Sequence, residues 1–227
     1  MAYHLTQHAG FSDVVLLEQH QLTAGTTWHA AGLVVTFGSL SETSTEVRKY
    51  TRDLYARVLE EETGQATGFK SVGFIELATD ADRLEEYRRI ATFNRRCGVD
   101  VHEISPAEVL DKFPLCRVDD VLAGFYVAGD GRVNPVDAAM ALARGARNRG
   151  ARVVEGAAAR VVGVTSAPCA ASPWERRVTG VVLASGATVQ AEYVVNCAGM
   201  WARQVCGWPA WKHTSSPHLQ APQPLPP

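Results

Sequence analysis

The chain has 227 residues, a formal net charge of −2, and 46% hydrophobic against 20% charged residues. Such a composition can bury a real core, which excludes a compositionally disordered chain, and the charge balance excludes a basic nucleic-acid footprint. No apolar run approaches the ~18 residues of a membrane span, and no secretory leader is visible at the start of the sequence.

Residues 1–9 read as a helix, with Gly10 in the position of its stop. Residues 13–18 (Asp-Val-Val-Leu-Leu-Glu) form an almost wholly apolar run, the pattern of a strand covered on both faces in a parallel sheet. A loop rich in glycine and small residues fills 19–38. A long helix over 42–63 sets Tyr50, Leu54, Val58 and Leu59 at helical spacing and stops at Gly64. Residues 69–79 carry a strand, and Asp80 caps a helix over 81–97 that Gly98 ends. A short strand over 99–103 precedes Ser105-Pro106-Ala107-Glu108, where a cap, a first-position proline and an acid start a short helix.

A strand over 121–127 leads to the tight loop Gly129-Asp-Gly-Arg-Val-Asn-Pro135, and Pro135 opens a helix to Arg149. Strands follow over 151–155, 160–165, 177–183 and 187–190. The stretch 168–173 looks inserted between two of them. Residues 192–196 read as one more buried strand that enters Cys197-Ala-Gly199. From Gly207 onward prolines accumulate and apolar periodicity stops, so 207–227 is predicted to be a disordered tail after an ordered α/β region over 1–206.

The five cysteines (Cys97, Cys116, Cys169, Cys197, Cys206) are odd in number, widely spaced and free of C-x-x-C pairs, which predicts free thiols in a reducing compartment. The histidines show no H-E-x-x-H pattern, and no metal is expected. The order helix, strand, acid over 2–18 is the second half of a dinucleotide-binding unit, in which an acid at the strand end holds the ribose hydroxyls. Glu18 is therefore a candidate ribose ligand, against the plainer reading of a solvated strand-end acid. No G-x-G-x-x-G is present to cradle a pyrophosphate.

The stretch Leu17-Glu-Gln-His-Gln-Leu-Thr-Ala-Gly-Thr-Thr-Trp-His-Ala-Ala-Gly32 closely resembles the dimethylglycine and sarcosine dehydrogenases, flavoenzymes of the glycine-oxidase-like superfamily. The resemblance continues in order through Leu59-Glu-Glu-Glu-Thr-Gly-Gln65, Gly73-Phe-Ile-Glu-Leu-Ala78, Leu84-Glu-Glu-Tyr87, Ala123-Gly-Phe-Tyr126, Gly129 to Pro135, and Val194-Val-Asn-Cys-Ala-Gly-Met-Trp-Ala202. It implies a partial FAD-binding, Rossmann-like parallel sheet with a second, substrate-side β layer made from 72–77 and 121–127, packed with the helices over 42–63 and 81–97. It places strands 14–17 and 194–196 in one mainly parallel sheet.

By the same resemblance His29 is the covalent anchor of FAD, joined to the 8α carbon of the flavin. A neutral imidazole is a competent nucleophile near pH 7. Glu18 matches the ribose-binding acid, Thr26 and Thr27 stand where hydroxyls reach phosphate or ring edges, and Ala198-Gly199 match a small-residue turn under the dinucleotide. All are expected to share one concave site. Arg132 is a candidate for a substrate carboxylate, its plainer reading being an ion pair with Asp130 or a neighbour.

The implied reaction is oxidative N-demethylation of a methylated glycine, dimethylglycine or sarcosine, by hydride transfer to flavin. Blocks 27–33 and 199–203 lean toward the dimethylglycine enzyme. Electrons pass to electron-transferring flavoprotein, in the mitochondrial matrix; with no transit peptide visible, the cytosol is the second location. The first strand, the glycine turn and the folate-binding half of that family are not in the sequence, so FAD binding is expected to be weak. The alternatives are a non-catalytic protein resembling the regulatory subunit of pyruvate dehydrogenase phosphatase, and an inert fragment.

Overall fold

The computed structural model describes residues 1–169 and 172–206; the predicted tail lies outside the described residues. In chain order it contains α1 (Ala2–Gln7), β1 (Val15–Glu18), β2 (Leu33–Val34), α2 (Glu42–Asp53), a π turn (Leu54–Val58), α3 (Leu59–Thr63), β3 (Phe74–Ala78), α4 (Ala81–Arg96), β4 (Val101–Ile104), α5 (Pro106–Lys112) and β5 (Ala123–Val127). β6 (Gly131–Arg132), α6 (Pro135–Asn148), β7 (Arg152–Glu155), β8 (Val161–Cys169), β9 (Ser172–Leu183), β10 (Thr188–Gln190) and α7 (Ala202–Cys206) follow. The chain divides into two compact units, Met1–Val14 with Leu22–Arg152, and Val15–Gln21 with the described residues from Val153 on.

The first unit holds an antiparallel sheet in the order β3-β5-β4. Asp80 starts α4 by accepting the Arg83 N–H at 2.8 Å, and α4 then lays Ile90 and Ala91 against Ala78, Val101, Phe125 and Val127. Phe37 stacks on Phe125 with centroids 5.8 Å apart, and Tyr87 meets both rings edge-on, the arrangements aromatic quadrupoles favour. Ser105 and Glu108 form a reciprocal capping box on α5. This is the expected second β layer, packed by the helix over 81–97.

The helix over 42–63 departs from expectation. It runs unbroken from α2 to α3 through the π turn, and Gly64 ends it in the left-handed conformation (φ 66°). Its buried Leu54 and Leu59 join Tyr3, Ala141, Ala146 and Ala151, in a cluster with α1 and α6 rather than on the β layer. The reason is in the sequence: the apolar residues lie in the second half, while 42–53 is mostly polar. That polar half docks by hydrogen bonds instead, with Lys49 Nζ on Cys97 O (2.8 Å) and Asn94 Nδ2 on Thr45 Oγ1 (3.4 Å). His4 and His8, four apart on α1, both bring Nε2 to the Tyr50 hydroxyl, at 3.1 and 3.2 Å.

In the second unit β1 pairs with β7. Arg152 N–H bonds Val14 O before the pair and Gly156 N–H bonds Glu18 O after it, so the two strands run in the same direction, as the apolar 13–18 run predicts. β8, β9 and β10 form an antiparallel meander with β9 in the middle. The stretch 168–173, read as an insertion, extends that hairpin: Pro168 pairs with Arg176 and Cys169 with Ser172. Residues 192–196 are not a strand. Val195 is 52% and Tyr193 80% exposed, and none of the described sheets includes 192–196. Among the described residues, then, 194–196 do not join 14–17 in one sheet as expected.

Candidate functional site

The residues singled out from the sequence fall into two groups. Thr26, Thr27 and His29 belong to the first unit; Glu18, Ala198 and Gly199 belong to the second.

In the second unit β1 delivers Glu18 to its end, where Oε1 accepts the His20 N–H at 2.8 Å. The Gly156 N–H is shared between Glu18 O (3.0 Å) and His20 O (2.7 Å), which fixes the strand exit. The carboxylate is thus oriented by backbone and stays partly open. Asn196 shapes the other turn. Its Oδ1 accepts the Ala198 N–H (3.1 Å) and its Nδ2 donates to Ala202 O (3.0 Å), so Cys197-Ala198-Gly199 curls into a 3₁₀ turn over Gly199–Trp201 that leads into α7. Gly199 is exposed, with φ 54° and no atom within 4 Å of where a Cβ would stand.

In the first unit the chain passes through Thr23 at φ 72°. A β-branched residue in the left-handed region carries backbone strain of roughly 1–2 kcal/mol. Thr26 then caps a 3₁₀ turn, Thr27–His29, held by His29 N–H to Thr26 O (3.2 Å) and Ala30 N–H to Thr27 O (3.1 Å). Trp28 is 60% exposed and its ring lies 3.7 Å from that of His29. His29 Nδ1 lies 3.1 Å from Gly25 O. A carbonyl only accepts, so in the neutral ring Nδ1 carries the hydrogen and Nε2 keeps its lone pair. An exposed imidazole with a nucleophilic Nε2, beside a run of alanines and glycine, fits the covalent anchor of a flat cofactor.

Just after this turn the backbone is pinned to the Gly129–Pro135 loop. Gly32 adopts φ 75°, and a Cβ there would lie 2.2 Å from Val133 O. Gly32 O accepts the Val133 N–H at 2.8 Å, and β2 pairs antiparallel with β6. Asp130, fully buried, accepts from both the N–H (2.8 Å) and the hydroxyl (2.7 Å) of Thr36. The guanidinium that approaches it is that of Arg52, at 4.0 Å; the Asp130–Arg132 ion pair considered from the sequence is not formed. Arg132 instead exchanges backbone hydrogen bonds with Lys70 (2.8 and 3.1 Å), and its side chain is exposed. Asp130 stands between two glycines, and its buried place is set by Thr36, 94 positions away in the chain.

Among the described residues no group of three or more His, Cys, Asp or Glu could hold a metal ion, and no helix is long and apolar enough to cross a membrane.

Comparison with known proteins gives a consistent picture. The family model described as FAD dependent oxidoreductase matches residues 1–220. The chain is 40% identical over 203 residues to the mitochondrial sarcosine dehydrogenase of Homo sapiens, covering 89% of this chain and 21% of that protein. It is 41% identical over 209 residues to the mitochondrial dimethylglycine dehydrogenase of Rattus norvegicus, covering 90% of this chain and 22% of that protein. The chain thus spans about a fifth of the length of these curated relatives. Among solved structures, L-proline dehydrogenase from P. horikoshii superposes with a TM-score of 0.77 at 24% identity, over 90% of this chain and 50% of that one, a likeness of fold.

Proposed function

The chain belongs to the DAO family of FAD dependent oxidoreductases, and on that premise we propose that it binds FAD covalently through His29 and serves the oxidation of an N-methylated glycine. The observation that carries this reading is the His29 turn: Nδ1 is committed to Gly25 O, Nε2 is left with its lone pair, and the ring is exposed. When bound, FAD would supply the electrophilic 8α carbon for that anchor, the Nε2–C bond forming with loss of one proton from the carbon and one from the imidazole while dioxygen takes up the two electrons, and it would supply the two-electron acceptor for a C–H bond beside nitrogen.

The work of the chain is to bind, hold and orient. The Trp28 ring lies against the His29 ring, with centroids 3.7 Å apart. The Thr26 and Thr27 hydroxyls offer donors to phosphate or ring edges, Glu18 offers a carboxylate for ribose hydroxyls, and the Ala198-Gly199 turn lets backbone approach closely. Dimethylglycine and sarcosine are the substrates proposed, because relatives of both names are similar to this chain to the same degree. Electron-transferring flavoprotein is the proposed electron acceptor; the mitochondrion is the proposed location, after the word mitochondrial in the names of these relatives.

The test is to incubate the full chain with excess FAD in air, precipitate it in acid, and measure the flavin fluorescence that stays with the protein. At FAD concentrations high enough to offset the weak binding expected without a glycine turn, retained flavin that His29→Ala abolishes is the expected result. Bleaching of the bound flavin by dimethylglycine or sarcosine under anaerobic conditions then identifies the substrate. No retained flavin at saturating FAD overturns the anchor assignment and favours a non-catalytic role.

A further inference from the structure

The segment that follows His29 is held at unusually many points, and one of them is a buried charge. A carboxylate removed from water is tolerated only where it is paired or fully hydrogen-bonded. Asp130 meets that demand by taking both donors of a single residue, Thr36, with Arg52 at the edge of ion-pair range. The loop that carries Asp130 is itself rigid. A Cβ at Gly131 would stand 2.0 Å from Lys70 O, and Asn134 N–H bonds Thr67 O at 3.1 Å.

Thr36 lies two residues beyond β2 (Leu33–Val34), which pairs with β6, and Gly32, just before β2, has its carbonyl bound to the Val133 N–H. Only Ala30 and Ala31 separate that fastening from His29. At ~3.6 Å per residue at most, His29 cannot stray more than roughly 11 Å from a fixed point. All these residues lie in one compact unit, so the restraint needs nothing from the other.

We infer that Asp130 is a positioning residue for the covalent anchor, acting through Thr36 and the Gly32–Val133 contact to hold the His29 turn in the register that bond formation requires. The inference rests on the reading of His29 as the flavin anchor. Covalent attack needs reacting atoms ~3–3.5 Å apart, and a displacement of about 1 Å can cost ~100-fold in rate. A polar clamp of fixed length suits that task better than an apolar contact, because two hydrogen bonds to one carboxylate define direction as well as distance.

The experiment uses the full chain with four substitutions, singly and in three double variants. Asp130→Ala removes the clamp, Thr36→Val keeps the shape of Thr36 while losing the hydroxyl donor, and Thr36→Ser restores that donor. His29→Ala, alone and combined with each of the other three, measures reversible FAD binding in the absence of attachment. Covalent incorporation is followed in time at saturating FAD. The expected result is a ~10- to 100-fold slower incorporation for Asp130→Ala and a smaller loss for Thr36→Val. Thr36→Ser should return to the wild-type rate, and reversible affinity should stay within about twofold throughout. A merely structural role would lower affinity and thermal stability together and would not separate rate from affinity. Wild-type incorporation with unchanged rates in Asp130→Ala and Thr36→Val overturns the inference alone. Absence of incorporation in the wild type overturns the anchor reading and, with it, this one. Should Asp130→Ala not fold, the contrast between Thr36→Val and Thr36→Ser decides.

Discussion

His29 Nδ1 and the carbonyl oxygen of Gly25 lie 3.1 Å apart across a turn of the chain. The contact couples backbone geometry to chemistry: it selects which imidazole nitrogen bears the hydrogen, and so which one is a nucleophile. Since Gly25 sits four residues earlier, the selection is made locally, by the same 3₁₀ turn that exposes the ring.

A direct consequence is spectroscopic. In neutral solution the ¹⁵N spectrum of His29 should show Nδ1 protonated and Nε2 bare, the opposite of the tautomer that free histidine prefers. Nε2 protonated in the folded chain would remove the argument for a prepared nucleophile.

Gly32 tolerates no side chain. Its φ of 75° and the 2.2 Å between a Cβ and Val133 O require two separate adjustments from Gly32→Ala. The left-handed conformation costs an alanine about 1–2 kcal/mol, and overpacking against backbone adds roughly 1–3 kcal/mol. Chemical denaturation should show a loss of about 2–5 kcal/mol. A loss below ~1 kcal/mol would mean that the β2–β6 junction yields easily.

Asn94 is fully buried on α4 and ties three partners, donating to Ser39 O (2.7 Å) and Thr45 Oγ1 (3.4 Å) and accepting the Gly38 N–H (3.2 Å). Asn94→Ala leaves the part-buried Ser39 carbonyl and Gly38 N–H without their partners, each bond worth about 0.5–1.5 kcal/mol. Asn94→Leu, although apolar and of similar size, should destabilise at least as much, because the stranded groups are backbone and cannot turn away. Equal stability of Asn94→Leu and wild type would show that these backbone groups find water.

Local chemistry made much of the fold legible. The Asp80 cap, the Ser105–Glu108 box and the Gly64 stop are decided within one helical turn, and each stands where its residues place it. The apolar 13–18 run also reads as a strand, and it is one because β7 supplies its parallel partner. The segment 192–196 has the same character but joins none of the described sheets, a property of the rest of the chain that no window of sequence contains. The π turn at Leu54–Val58 was equally hidden: it arises inside a regular helical pattern, where the Tyr55 carbonyl accepts the Thr67 hydroxyl at 2.6 Å. Of the site, the His29 block was legible by resemblance. The Asp130–Thr36 clamp was not, because it joins residues 94 positions apart.

The α1–α3–α6 junction should make the protein acid-labile in two stages. Burial, the chain amino terminus and neighbouring His8 hold His4 below its ordinary 6.5. Burial raises the Glu62 carboxyl, but the Tyr3 hydroxyl and Arg149 outweigh it and hold Glu62 below its ordinary 4.5. The groups that face this junction are His4 and His8 from α1, Tyr50 from α2, Glu62 from α3 and Arg149 after α6. Both shifts are downward, so the unfolded chain binds more protons, and stability rises with pH across each window. The His4 contribution is complete above about pH 6.5 and is lost as pH falls through its lower folded value. The Glu62 contribution is complete above about pH 4.5 and is lost below it. Tyr3 and Tyr50 are shifted upward, mainly by burial, so their contributions hold below their ordinary 10 and fade as pH rises beyond it. Melting temperature followed by circular dichroism should be level between about pH 7 and 9, fall gently below 6.5 and steeply below 4.5. Glu62→Gln should shrink the lower step, leaving the part that Glu103 and Glu108 contribute through Arg88 and Ser105, while reducing stability at neutral pH, since Arg149 then loses its charged partner. Tyr3→Phe, which removes a hydrogen bond to the ionised carboxylate, should move the lower step to higher pH. A Glu62→Gln profile that keeps the wild-type acid limb would place the acid lability elsewhere in the chain.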